Sequence, residues 1–353
     1  MLTWLTPHFI DSLALPHTCP YDIWYTHFSF KKIYWYTCKI IFVMQNKKRL
    51  INFKYLQKEK TQEIFTGYLM LLPFLVIISV FIIYPVIYSF RISFMDFTFL
   101  NPSDAKWVAF KNYIVLFKDK SFLQSIKNTI KMLSIIVPIQ TIFSLVLANI
   151  LNSKLRFKPA FRTIYFLPYI TSLVAVGAIM VHLFSKNGII SRFLTFFGFD
   201  NVTWYADYRY AFYLVAGTII WTQIGFYMVI YLSALQDISS TVYEAAYIDG
   251  ANRFQIFFFI TIPLLRYTTL LVLVMGVIAT LQIFDLPYVI STTGEALSGS
   301  PGGTTLTMVM FLYTQAFRYF NMGYASAAAF IIFCMIFIIT IGINSFKYFK
   351  KEF

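Results

Sequence analysis

Residues 244–265 read EAAYIDGANRFQIFFFITIPLL and lie between two long apolar runs. The stretch holds no nucleophile, metal pair or phosphate loop. Ala245, Ala246 and Gly250 are small and admit a close-fitting second surface, while Glu244 and Asp249 add acidic points that a basic groove can read. Ala246 and Gly250 are four apart and share a helix face, and Asp249 and Arg253 are spaced for a local ion pair. Gly250 can supply a sharp change of direction. Ile256 to Ile262 is too apolar for a solvated loop, and Pro263 sets the start of the next run. The pattern predicts a small-residue helix, a glycine break, a second helix and a proline returning the chain to a membrane. An ordinary amphipathic connector, rich in alanine by chance, is the plainer alternative.

Composition supports the membrane. Hydrophobic residues make up 59% of the 353-residue chain and charged residues 12%, about half the charge of a soluble domain. The formal charge of +14 sits beside the apolar runs rather than in an aromatic-basic patch. It is explained by topology and anionic headgroups, not by nucleic acid. Cys19, Cys38 and Cys334 have no metal-ligand spacing. Residues 1–43 hold three of the four His and two of the three Cys. They lack a basic region ahead of a clean apolar core, so they do not read as a signal peptide. Met44 followed by QNKKRL reads as an alternative start, with 1–43 a leader of doubtful translation and 44–64 a cytoplasmic segment.

Six apolar runs follow, at 65–90, 132–151, 163–184, 211–235, 267–290 and 324–346. Each is near the roughly 20 residues that cross the hydrocarbon as a helix. A transmembrane barrel would need short strands with alternating polar positions, which these runs lack. The predicted fold is therefore all-α: a polytopic bundle of six transmembrane helices over 65–348, with a cytoplasmic helix at 244–250 and a short tail at 349–353. Lys and Arg set the orientation. Lys47, Lys48, Arg49, Lys54, Lys58 and Lys60 precede the first run. Lys154, Arg156, Lys158 and Arg162 follow the second, and Lys347, Lys350 and Lys351 close the chain. These predict both termini, and the 244–265 connector, on the cytoplasmic side; the seven cations of 91–131 oppose and are outvoted. Residues 92–128 include WVAFKNYIVLFKDKSFLQSI, amphipathic enough for a short helix lying against the surface, and 291–305 read as a Gly/Ser/Thr loop without regular structure.

The ordered positions of Glu244-Ala245-Ala246, Gly250, Ile260 and Pro263 closely resemble the EAA loop of the permease subunits of bacterial ABC importers. The resemblance extends over about four-fifths of the chain. GYLMLLPFLVIISVFIIYPVIYSFRISF, FKNYIVLF, FRTIYFLPYI, LYTQAFRYF and MGYASAAA are similar to segments of the carbohydrate-type branch, the maltose, multiple-sugar and glycerol-3-phosphate permeases. A Gly-Gly-Pro cluster usual in that family is replaced here by TTGEALSGSPGG.

That resemblance implies a transport subunit of the bacterial inner membrane, not an enzyme, importing a sugar or oligosaccharide by alternating access. It implies four kinds of partner: a second homologous permease, a cytoplasmic ABC ATPase dimer, an extracytoplasmic solute-binding protein and membrane lipid. Glu244, Ala245, Ala246, Asp249, Gly250, Ile260 and Pro263 would couple to the ATPase. The sequence contains no G-x-x-x-x-G-K-[ST] phosphate loop, so ATP and Mg belong to the partner ATPase and this chain carries no cofactor, metal or catalytic residue.

Sugar sites combine hydroxyl-bonding groups with flat aromatic faces. Trp221, Gln223, Gly225 and Tyr227 in the fourth run, and Gln282, Phe284, Asp285 and Tyr288 in the fifth, are the candidates. Gln223 and Tyr227 share a helix face. Gln223 lies about 18 Å from the start of its run and Asp285 about 27 Å from the start of its own. Intramembrane charge usually faces a cavity. The alternatives are that these side chains pack helices, that the cargo is glycerol 3-phosphate or another small polar solute, or that the chain is a secondary transporter without an ATPase.

Overall fold

The computed structural model describes residues 64–153, 156–199, 202–292, 299 and 301–349. The doubtful leader at 1–43, nearly all of 44–64, the last four residues, and 293–298 and 300 of the Gly/Ser/Thr segment lie outside the described residues. Contacts divide the chain into two compact units, Met1–Phe81 and Ile82–Phe353. The break falls within the first helix, α1 (Ile64–Ser93), so every later span belongs to the second unit.

Among the described residues, five helices are long and apolar enough to cross a bilayer, and a bent pair makes a sixth. Besides α1 these are α3 (Lys120–Asn152), the pair α4 (Lys158–Ile170) and α5 (Leu173–Leu183), α7 (Ala211–Gln236), the span Arg266–Ser291 made of α10 (Arg266–Leu281) and α11 (Asp285–Thr292), and α13 (Met322–Phe349). Shorter elements join them: a two-residue antiparallel hairpin pairing β1 (Met95–Asp96) with β2 (Lys106–Trp107), α2 (Lys111–Leu116) and α6 (Ile189–Phe196). The remaining elements are α8 (Ser240–Ile248), α9 (Arg253–Leu264) and α12 (Met308–Tyr313).

α3 is the spine. Asp119 caps it, its Oδ1 accepting from the amides of Ser121 at 2.8 Å and Phe122 at 3.4 Å. At 33 residues and 1.5 Å rise it is about 50 Å long, well beyond the roughly 30 Å hydrocarbon core. The sequence places its start at 132, the first uncharged residue of the run. The helix begins twelve residues earlier because the cap and a buried face, Phe122, Ser125, Asn128 and Thr129, outweigh the lysines.

Three apolar clusters succeed one another along it. Near its start Phe122 joins Leu116, Phe311, Ala327 and Ala328. Next, Met132 and Ile136 meet Val176, Val215, Ile219 and Leu286. Towards its end Leu145 and Leu151 meet Met228, Tyr231, Leu232 and Val272. α3 packs on α7 and α10, α7 also on α4, and α13 on the Tyr84–Ser93 part of α1.

Two of the six runs are not continuous helices. The third, read as one helix over 163–184, bends by 95° between α4 and α5. The chain leaves the helix at Thr171 and Ser172, with ψ of 142° and 125°, past Pro168, which lies inside α4. The fifth, read as continuous over 267–290, leaves the helix at Gln282–Phe284 and resumes at Asp285. Pro287 is the cause: it has no N–H to give the carbonyl four residues back, which is that of Ile283. Thr307 Oγ1 donates to that carbonyl instead, at 2.9 Å.

The connectors hold more structure than expected. Residues 92–128 hold a short helix, α2, as expected, and add the hairpin and the first two turns of α3. Residues 301–305 are turns as expected. After them comes α12, which widens into a π-helical turn over Thr314–Arg318. Asn128 Nδ2 ties this part to α3, donating to the carbonyls of Gly303 at 2.7 Å and Leu306 at 3.0 Å.

Candidate functional site

The connector between α7 and α10 is built as a rigid angle. Ser239 opens α8, its Oγ accepting from the Thr241 amide. At the other end Gly250 adopts φ +80°, a left-handed conformation that costs glycine almost nothing. The Gly250 amide reaches back to the Tyr247 carbonyl at 3.1 Å, and the Ala251 amide to that of Ala246 at 3.0 Å. These are the paired bonds of a left-handed glycine cap. Only Ala251 separates it from the next cap. The Gln255 amide donates to Asn252 Oδ1 at 2.8 Å, and the Asn252 amide donates to Gln255 Oε1 at 2.8 Å. This reciprocal capping box is legible in the sequence as N-x-x-Q, beside the more conspicuous Gly250.

The expected small-residue helix, glycine break and second helix are all present. Within them, Glu244, Ala245, Asp249 and Gly250 are exposed, whereas Ala246 is buried. Ala246 and Gly250 therefore do not form a common outward face. Asp249 and Arg253 do not form the expected ion pair either, because Gly250 ends α8 between them and puts them on different helices. α9 is stitched beneath α8: Tyr243 Oη lies 3.5 Å from Thr261 Oγ1, and Ile256, Thr261 and Leu265 are buried. Ile260 is half-buried and Pro263 exposed. Phe254, Phe258 and Phe259 stay exposed, so only part of the apolar run packs inward. A cavity of ≈ 670 Å³ lies between this angle and the end of α3, lined among others by Asn149, Asn152, Tyr243, Tyr247 and Arg253.

The transport candidates separate into distinct environments. Trp221 is exposed on the bundle surface. Gly225 is buried where α7 crosses α4 so closely that a Cβ would overlap the Tyr165 carbonyl. One residue on, Phe226 stacks with Tyr169 at 4.5 Å. Tyr227 is buried in the third cluster beside Leu145 and Met228. Gln223 is half-buried, and its Oε1 is enclosed with no hydrogen-bond partner. Other enclosed polar atoms in the packed spans share that condition: both amide atoms of Gln140, and the hydroxyls of Thr141 and Thr280. Gln140 Nε2 sits where a Cβ on Gly276 of α10 would be.

Phe284 and Tyr288 are brought together at the break in the fifth span, rings stacked with centroids 5.1 Å apart. Tyr313 closes on Phe284 at 4.8 Å, and Phe317 on Tyr313 at 5.0 Å. Gln282 and Asp285 beside them are exposed. Asp285 begins α11, where the helix dipole favours a carboxylate. Tyr313 and Phe317 were not identifiable from the sequence, because α12 reaches the fifth span only through the tertiary fold.

The fold is thus a broken-span helical bundle carrying a capped, exposed two-helix angle between two of its spans. Residues 140–352 match the family described as binding-protein-dependent transport system inner membrane component, and the chain belongs to it. It is 34% identical to the lactose transport system permease protein of Rhizobium radiobacter over 76% of this chain and 90% of that one. To the trehalose/maltose transport system permease protein of Thermococcus litoralis it is 32% identical, over 75% and 87%. A chain in the crystal structure of a bacterial ABC transporter involved in the import of the acidic polysaccharide alginate has the same fold. Its TM-score is 0.73 at 23% identity, over 83% of this chain and 98% of that one. The chain is thus a multi-pass inner-membrane permease subunit.

Proposed function

We propose that this chain is one of two transmembrane subunits of an ATP-driven, binding-protein-dependent importer of a sugar or oligosaccharide, with both termini cytoplasmic. A loaded binding protein docks outside, and ATP with Mg closes an ABC ATPase dimer inside. Alternating access then passes the sugar between the spans. Relatives whose names specify lactose, trehalose/maltose and arabinooligosaccharides support a carbohydrate cargo. A solved relative of this fold was captured with an alginate-pentasaccharide-bound periplasmic protein.

The observation that carries the reading is the α8–α9 angle. Its glycine cap and capping box make α8 a stiff lever, and its exposed edge of Glu244, Ala245, Asp249 and Gly250 is free to meet an ATPase cleft. The buried Ala246, together with Ile260 and Pro263 of α9, joins the lever to the span behind it. In the spans, the unpaired oxygen of Gln223, the exposed Trp221, and Gln282, Phe284, Asp285 and Tyr288 around the broken fifth span supply hydroxyl partners and ring faces for a sugar. Gly225 and Tyr227 hold the helices that frame the path. A phosphorylated cargo such as glycerol 3-phosphate would call for Arg or Lys within these spans, and the central runs carry none.

The test is a bulky residue on the lever. In proteoliposomes with all partners, Gly250→Trp and, without backbone strain, Ala245→Trp are expected to lower ATPase co-purification and to cut uptake at least tenfold. Unchanged assembly and uptake in both variants would overturn the coupling role.

A further inference from the structure

α6 has one face that the protein leaves uncovered. Ile189, Phe193, Phe196 and Phe197 recur at the spacing of a single helical stripe. They are 77%, 63%, 90% and 64% exposed, whereas Ser191 on the opposite face is 1% exposed. Phe193 and Phe196 both rest edge-on against Phe197, with centroids 5.1 and 6.2 Å away, so the stripe is one continuous aromatic surface.

What covers it is decided by where the helix is fixed. α6 lies in the connector that leaves α5 and returns to α7, and the Trp204 amide donates to the Phe184 carbonyl at 3.1 Å, drawing both ends of the connector together at the span termini. Trp204 packs there on Phe184 and Tyr210, at 5.4 and 4.7 Å, and Tyr208 and Tyr213 are exposed beside it. Trp and Tyr gather in this way at the level of lipid headgroups. Charge agrees: α6 and the turn before it carry Lys186 and Arg192, and the connector's two acidic residues, Asp200 and Asp207, fall after the helix. The nearby carboxylate of Asp207 is already engaged by Arg209 at 2.9 Å.

We propose that α6 is an interfacial anchor, its Ile189–Phe193–Phe196–Phe197 face inserted at the headgroup–acyl boundary and Lys186 and Arg192 directed to lipid phosphates. The anchor would fix the depth and tilt of the bent α4–α5 span that precedes it.

Nitroxide labels at Phe196→Cys and, on the opposite flank, Thr195→Cys read this directly, in a cysteine-free chain in nanodiscs, alone and in the assembled transporter. The Phe196 label is expected to be relaxed by oxygen and shielded from an aqueous nickel chelate, and the Thr195 label the reverse. Replacing phosphatidylglycerol with phosphatidylcholine is expected to raise nickel access at Phe196 severalfold, with Lys186→Glu/Arg192→Glu abolishing that lipid dependence. Nickel access equal at both positions would overturn the anchor. So would shielding of the Phe196 label from both reagents in the assembled transporter, which would make the stripe a subunit interface.

Discussion

At Gly225 the structure asks for the absence of a side chain. α7 lies against α4 with the Tyr165 carbonyl in the space a Cβ would need. In lipid, such close backbone approach replaces the hydrophobic drive that packs helices in water. Gly225→Ala must push the two helices apart, at a cost of about 1–3 kcal/mol, the range for overpacking. Reversible unfolding in mixed micelles checks this; an unchanged midpoint would show that α4 shifts freely. Gly250 is a glycine for the other reason. Nothing lies within 4 Å of its missing Cβ, and its constraint is the φ of +80°. The sequence singles out both glycines but not the difference between them. Composition marks where a small residue sits, while the reason for it lies in what crosses there.

Among the elements, the fifth span shows how a local break is stabilised from a distance. Pro287 orphans the Ile283 carbonyl, and Thr307, past the loop that follows the fifth span, supplies the missing donor. Thr307→Val keeps the shape and removes the hydroxyl. It is expected to cost about 1–3 kcal/mol, the penalty for an unpaired buried group, and to loosen the junction at Gln282–Phe284. Faster hydrogen exchange at the start of α11 would register it; unaltered exchange would mean that another donor takes over.

Proline alone did not reveal the breaks. Pro138 lies inside α3 without interrupting it, where Ile136 and Val137 on the same turn are buried. Pro168 lies in α4, which has no buried residue, and that helix gives way at a 95° bend. Neither proline ends its own helix, and the bend falls past Pro168, at Thr171 and Ser172.

For the whole molecule, the spans were legible because membrane physics leaves few options. Long uncharged runs in lipid must be helices; the class was legible from the resemblance of Glu244-Ala245-Ala246, Gly250, Ile260 and Pro263 to the EAA loop. The grouping of Phe284 and Tyr288 with Tyr313 and Phe317 was not legible, since those pairs join segments that only the tertiary fold brings together. The central claim is that solute crosses this bundle only when the α8–α9 lever is driven by ATP hydrolysis. Uptake of binding-protein-delivered, radiolabelled sugar into proteoliposomes containing this chain and its partners tests it most directly. Uptake that requires both ATP and the ATPase, and that stays unchanged when ion gradients are collapsed, is the predicted result. Uptake driven by an ion gradient with the ATPase omitted would contradict it.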